Sequence, residues 1–242
     1  MTRFINLNPS DKNKFIYRYL SFSRLVEIFS TNTYQLINPS LWDDPYEQWL
    51  TSAKFDLGSD QLDLGFRNSF FGSCWTKKNS SNAMWRIYSP DKSAVRIRTT
   101  PKLLGDAIQQ ALGPASKSIA FIGKVQYLSQ AMISEKAESL AIATLSTQSE
   151  LAAAKSLLIK RSSFSHEEEV RILLVDRSFN EKVLPISIDP HNVIQSVMID
   201  SRAPIELIDV YKKYLKDTLG FKGRVSKSTL YDHPPPLNIS IR

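Results

Sequence analysis

The chain has 242 residues and a formal net charge of +7, with 42% hydrophobic and 23% charged residues. That is enough chain to bury a full core, as one large domain or two small ones. Cys74 is the single cysteine, which excludes an internal disulfide and any cysteine-rich zinc site. No apolar run approaches the roughly 18 residues of a membrane span, and Met1 to Asn13 holds no signal-peptide core; a cytoplasmic protein without a membrane partner is expected.

The charge is uneven. Asp43, Asp44, Glu47, Asp56, Asp60 and Asp63 make an acidic stretch; Lys77, Lys78, Arg86, Lys92, Arg96 and Arg98 make a basic one, and Lys212 to Lys227 is basic again. A basic surface suits an anionic partner, a nucleotide or a nucleic acid, although a plain solvated face has the same composition.

In chain order, Phe15 to Leu20 reads as a strand rich in aromatic residues. Ser21 or Ser23 caps the helix that follows, in which Leu25, Ile28 and Phe29 share a face. Tyr34 to Asn38 is a second short strand ended by Pro39, and the Asp-Asp-Pro at 43–45 favours a turn. Ser69 to Thr76 is a buried strand. Asn79 to Asn82 is a loop that caps a short helix carrying Met84, Trp85 and Tyr88. Ala94 to Arg98 alternates apolar and basic residues like a half-exposed strand, and the Leu103 to Ala111 helix stops at Gly113-Pro114. Ile119 to Leu128 is a strand, and Glu135 to Lys160 is mostly helical, split near Ser146. After the acidic strand from about His166, Val183 to Ile188 and Val193 to Asp200 are further strands. Ile205 to Leu219 is an amphipathic helix, and Gly223 to Ser226 a last strand. Strands and helices mix without the regular alternation of a doubly wound sheet. The expected fold is one α+β domain over residues 1–242, with a mixed or antiparallel sheet, flanking helices and an extended tail over 232–242.

The densest signal is His166-Glu167-Glu168-Glu169-Val170-Arg171, which runs into the apolar Ile172 to Val175. Strand alternation from His166 puts Glu167, Glu169 and Arg171 on one face, and such charges entering a core must pair or meet a ligand. Tyr17-Arg18-Tyr19 sets a planar guanidinium between aromatics, a fork for a phosphate or carboxylate; its plain alternative is an ion pair with one of those glutamates. Ser73 can orient a glutamate, and Trp75 can stack on a flat ring. Trp85 and Tyr88, three apart on a helix, share a face that serves either a pocket or the core. Cys74 reads as a small buried residue, since no thiol-activating motif accompanies it. Asp43, Asp44 and Glu47 are oxygen donors without a metal-loop spacing, and no metal is expected there. No phosphate-cradling glycine loop, serine-hydrolase elbow or zinc-protease motif is present.

Taken in order, Tyr17-Arg18-Tyr19-Leu20-Ser21 with Leu25 and Ile28, Asn38-Pro39 with Asp44-Pro45-Tyr46-Glu47, Ser73-Cys74-Trp75, Asn82 to Tyr88, and Lys160 with His166 to Arg171 resemble the bacterial domain-of-unknown-function family twenty-nine seventy-one. The likeness runs from Phe15 to Leu174 and continues weakly through Ser201 and Ser228 to Tyr231. Asp43 departs from that family's usual asparagine and Ala94 from its frequent glycine. More distantly, an arginine on an early strand, a serine-bearing strand and a late Glu-x-Glu resemble the ADP-ribosyltransferase-like fold. That resemblance implies NAD as co-substrate, Arg18 holding a phosphate or ribose, Ser73 supporting the site, Glu169 driving loss of nicotinamide and Glu167 helping it. Tyr19, Trp75, Trp85, Tyr88 and Arg171 would line or support the nucleotide site. The acceptor would be a nucleic acid or a protein. The competing expectations are a non-catalytic binding module of a bacterial defence or toxin-like system and a metal-dependent nuclease.

Overall fold

Alternation builds the sheet and short polar caps end its helices. The computed structural model describes residues 2–48, 55–56, 61–62, 66–147 and 149–236; Asp60, Asp63 and the last residues of the tail, 237–242, lie outside them. Strands β1 (Arg3–Ile5) and β2 (Ile16–Leu20) precede helix α1 (Phe22–Thr31). The Ser21 hydroxyl accepts from the Arg24 N–H to cap α1, which buries Leu25, Ile28 and Phe29 as their spacing predicts. Asn32, in the left-handed region at φ 50°, turns the chain into β3 (Thr33–Ile37). A two-stranded ribbon, β4 (Phe55–Asp56) with β5 (Gln61–Leu62), leads to α2 (Phe66–Ser69) and β6 (Phe70–Thr76). Ser81 caps α3 (Asn82–Tyr88), and Thr100 caps α4 (Pro101–Leu112) after β7 (Val95–Thr99). Then come β8 (Ile119–Lys124), β9 (Gln126–Leu128), α5 (Gln130–Thr147) and α6 (Glu150–Ser156). The remaining elements are β10 (Ile159–Arg161), β11 (Glu169–Val175), β12 (Val183–Ser187), α7 (Pro190–Val193), β13 (Ser196–Ile199), α8 (Ile205–Lys213) and β14 (Arg224–Lys227).

Ten strands form one mixed sheet with helices against it, an α+β fold. Most pairs are antiparallel; β1 with β8 and β13 with β14 are parallel. Strand β11 shows how the sheet divides two cores. Val170, Ile172 and Leu174 enter the larger core, while Leu173 and Val175 enter a second one with Ala153, Ala154, Leu157 and Leu158 from the α6 side. Glu169 and Arg171 continue that second face.

The sheet forks at β6. One edge pairs with β11 over the whole strand. On the other edge, β2 meets β6 only at Tyr17↔Thr76, and β3 only at Ile37↔Gly72. Ser73, Cys74 and Trp75 lie between these two contacts, where the branch carrying β2, β7, β13 and β14 diverges from the branch carrying β3 and β12. Gly72 keeps the fork open to an aromatic neighbour: a Cβ there would meet the Trp42 ring at 2.9 Å and the Ile172 carbonyl oxygen at 3.0 Å.

Several elements differ from the sequence expectation. The strand over Ile119 to Leu128 breaks at Val125. The alanine-rich helix ends at Ser156, and Lys160 sits instead on β10, a strand held by parallel pairing with β9. The acidic strand starts at Glu169, because Ser162–Glu167 forms a 3-10 turn and Glu168 adopts a left-handed φ of 44°. Arg96, expected on a half-exposed strand, is only 4% exposed and lies over the Tyr17 ring; Arg98 lies over Phe15. Arg96 therefore faces inward, and Arg98 is half-buried against an aromatic ring, so neither is a freely solvated charge.

Candidate functional site: a pocket in the forked sheet

The fork opens into a cavity of about 590 Å³. Arg18, Tyr19, Ser73, Trp75, Tyr88, Glu167 and Glu169 all line it, so seven of the nine residues singled out from sequence come together. Two do not. Trp85 is 1% exposed, packed edge-on against Tyr19 with ring centroids 4.7 Å apart, and belongs to the support beneath the wall. Arg171 is fully buried and spends its guanidinium on protein partners. Tyr88, one turn on from Trp85, stands 44% exposed at the mouth.

Arg18 occupies one wall. Its Nη1 donates to the Tyr34 hydroxyl, and the guanidinium lies 5.4 Å from the Tyr34 ring centroid. The Tyr34 hydroxyl donates in turn to Ser73 Oγ at 2.9 Å, and Trp75 Nε1 donates to the same oxygen at 3.1 Å. Ser73 thus keeps its own hydroxyl hydrogen for another acceptor. No carboxylate pairs with Arg18 among the described residues, so the sequence alternative of an ion pair with the acidic strand is overturned.

The glutamates instead meet Lys160 and Arg171 at the floor. Lys160 Nζ lies 2.5 Å from Glu167 Oε2, 2.7 Å from Glu169 Oε1 and 3.0 Å from Glu47 Oε1. Arg171 Nε donates to Glu169 Oε2 and Nη2 to Glu47 Oε1, both at 2.6 Å, while Nη1 donates to the Leu157 carbonyl at 2.8 Å. The guanidinium lies 4.6 Å from the Trp42 ring centroid. Backbone contacts fix the pair further: the Thr76 hydroxyl donates to the Glu167 carbonyl at 2.5 Å, and the Glu169 N–H donates to the Tyr127 hydroxyl at 2.8 Å. Glu167 is not on the strand at all; the turn through Glu168 folds it back beside Glu169, and both carboxyl groups accept from Lys160 Nζ.

This environment separates the two acids. Burial, then the neighbouring Glu169 carboxyl, pushes the Glu167 carboxyl up to about 8 against the pull of Lys160. Burial also acts to raise Glu169, but the Arg171 charge, the neighbouring Glu167 carboxyl and the Lys160 charge outweigh it and hold the group well below the usual carboxylate range. Lys160 is raised despite its burial, chiefly by Glu169. Burial and the neighbouring Glu169 push the Cys74 thiol up, which leaves no thiolate for nucleophilic work.

Asp44 and Glu47, weighed from sequence only as turn residues or oxygen donors, are both engaged. Arg161 Nη2 donates to Asp44 Oδ1 at 2.9 Å, and the Tyr46 N–H donates to the same oxygen at 3.1 Å. Among the described residues no group of three or more His, Cys, Asp or Glu is arranged to hold a metal ion. Sequence reasoning grouped Lys160 with the acidic motif but gave it no role in the site, and it missed Tyr34; the spacing of seven and nine residues to the two glutamates was the available signal for the lysine.

The segment Met84 to Ile172 matches the family described as protein of unknown function (DUF2971). It begins within α3 and contains the acidic motif, while the Tyr17 to Ser21 motif lies before it. No curated protein matches the chain in sequence. Among solved structures, Thermus sp. 2.9 DarT in complex with carba-NAD+ is 13% identical, covers 91% of this chain and 97% of its own, and superposes with a TM-score of 0.41. Thermus sp. 2.9 DarT in complex with ADP-ribosylated ssDNA is 12% identical, covers 93% and 97%, and gives 0.42.

Proposed function

We propose that the pocket binds a nicotinamide dinucleotide and that Glu169 promotes transfer of its ADP-ribosyl part to an acceptor. The observation that carries this reading is the convergence of Arg18, Ser73 and Glu169, far apart in sequence, on one cavity. A cavity of about 590 Å³ falls within the roughly 300–1,000 Å³ of small-molecule and cofactor sites. Arg18 offers a charge that no carboxylate among the described residues occupies, which suits a pyrophosphate. Glu169, kept ionised by Arg171 and Lys160, suits a ribose whose anomeric carbon becomes cationic as nicotinamide leaves. Trp75 and Tyr19 supply ring surface between them, and Tyr88 at the mouth offers a ring on which a base of a nucleic-acid acceptor would stack.

The test is titration calorimetry of the purified chain with NAD+, followed by chromatography of released nicotinamide with single-stranded DNA and with protein acceptors. NAD+ binding is expected, with Glu169→Gln retaining it but losing about 100-fold or more in turnover, as for removal of one electrostatic group from a transition state. Absence of NAD+ binding at millimolar concentration would overturn the reading.

A second reading is favoured by the saturation of Glu169, which is 5% exposed with both oxygens engaged: the floor is a structural ion network in a non-catalytic binding module. It predicts that Glu169→Gln lowers stability and leaves ligand binding as the only function.

A further inference from the structure

Three carboxyl groups at the pocket floor, Glu47, Glu167 and Glu169, face two cations, Lys160 and Arg171. Both cations are fully engaged. Lys160 Nζ contacts all three carboxyl groups, and each nitrogen of Arg171 has its own acceptor. If every acid were ionised, the cluster would hold an unbalanced negative charge among side chains that are nine-tenths buried, which is strongly unfavourable. We infer that Glu167 and Glu169 hold one proton between them, that Glu167 carries it, and that Lys160 is the positioning residue that sets this arrangement.

The assignment to Glu167 follows from contacts. Glu169 receives two charged donors, Lys160 Nζ and Arg171 Nε, whereas Glu167 receives only Lys160. Among the described residues no other group nearby supplies the missing positive charge. From the segment before β4, Asp44 is taken by Arg161. Strand β6 presents the neutral Cys74 thiol, α3 the Tyr88 phenol, and β9 the Tyr127 hydroxyl, which accepts from the Glu169 N–H. From the turn before β11, Phe164 lies against Lys160 with 4.7 Å from Nζ to the ring centroid, His166 is at the exposed rim, and Glu168 is paired with Lys78.

The location of the proton stands independently of the ligand; its use in transfer rests on the nucleotide reading above. In that transfer the C1′–N bond breaks and its electron pair leaves with nicotinamide, which departs neutral. The acceptor heteroatom bonds to C1′ and must lose a proton. Ionised Glu167 takes that proton and afterwards returns it to water. The resting proton has to leave Glu167 first, so transfer should accelerate with rising pH while NAD+ binding does not.

The test has an equilibrium arm and a kinetic arm. In the first, chemical unfolding of the full chain is followed from pH 5 to 9. Glu167 is raised in the folded state, so its contribution is fully present below the unfolded value near 4.5 and is lost as pH rises through about 8. The folding equilibrium constant of the wild type should fall by up to about tenfold per pH unit inside that window, the slope of a one-proton difference. Glu167→Gln, isosteric with the protonated acid, should fold and flatten the profile. Lys160→Met should move the decline to higher pH. Parallel wild-type and Glu167→Gln profiles would overturn the proposal even if NAD+ binds.

In the kinetic arm, the rise of transfer with pH should disappear in Glu167→Gln with NAD+ affinity unchanged. A rise that persists would overturn the proton-carrier role. Failure to bind NAD+ would defeat the nucleotide reading and leave the equilibrium arm intact.

Discussion

Arg18 and Arg171 are the same side chain in one pocket region, placed for opposite purposes. Arg171 is fully buried under the floor and joined to Glu169, Glu47 and the Leu157 carbonyl. Arg18 stands in the wall with the neutral Tyr34 hydroxyl as its hydrogen-bond partner. A saturated guanidinium organises protein; an unsaturated one is available to a ligand. The pocket therefore has a rigid, charge-balanced end and a receptive end.

Replacing Arg171 should give the largest effect. Arg171→Met leaves Glu169 and Glu47 buried with Lys160 alone, and the expected loss is about 3–5 kcal/mol of folding free energy, the range for breaking one side of a buried pair. Denaturant unfolding measures it. Arg18→Met should cost less, about 1–2 kcal/mol, because its hydrogen-bond partner is the neutral Tyr34 hydroxyl and no buried charge is left stranded. Its ligand affinity should instead fall about 10- to 100-fold, as for loss of a charged hydrogen bond to a pyrophosphate. Equal destabilisation by the two substitutions would erase the distinction.

Acid separates the two ends as well. Glu169 is depressed in the folded state, so its stabilisation is present above the unfolded value near 4.5 and disappears as pH falls through the folded one. Unfolding midpoints should therefore drop on acidification below about pH 4.5. In Glu169→Gln this acid limb should be shallower, whereas Arg18→Met should follow the wild type.

How much of this could be read from the sequence depended on how local each cause is. Strand alternation placed Arg18 on β2, Ser73 on β6, and Glu169 beside Arg171 on β11, since a strand fixes its own faces. It failed for Glu167, which reaches Glu169 through a turn with a left-handed residue. The place of Lys160 on a strand was hidden because its alanine-rich approach favours helix, while the three residues of β10 are held extended by pairing with β9. Tertiary pairing overrode local propensity there. Glu47 joins Arg171 from 124 positions away, a contact that no local pattern encodes. For Trp85, helical spacing correctly placed it near Tyr88 but could not say which of the two turns inward: both rings meet Tyr19, yet Trp85 is buried and Tyr88 is exposed.

The smallest effect is expected at the link behind the receptive end. The Tyr34 hydroxyl accepts from Arg18 and donates to Ser73 at 2.9 Å, so it orients the guanidinium and the serine together. Tyr34→Phe keeps the ring under Arg18 and removes only that bridge. Trp75 Nε1 still donates to Ser73, and the guanidinium can turn to solvent or ligand, so no buried charge is stranded. Stability should fall by about 1 kcal/mol, and NAD+ affinity by a comparable amount, about fivefold. Double-mutant calorimetry with Arg18→Met checks the cause: if Tyr34 acts through Arg18, the affinity loss from Tyr34→Phe vanishes once Arg18 is gone. Additive losses would mean that the hydroxyl meets the ligand directly and that the receptive end is larger than one guanidinium.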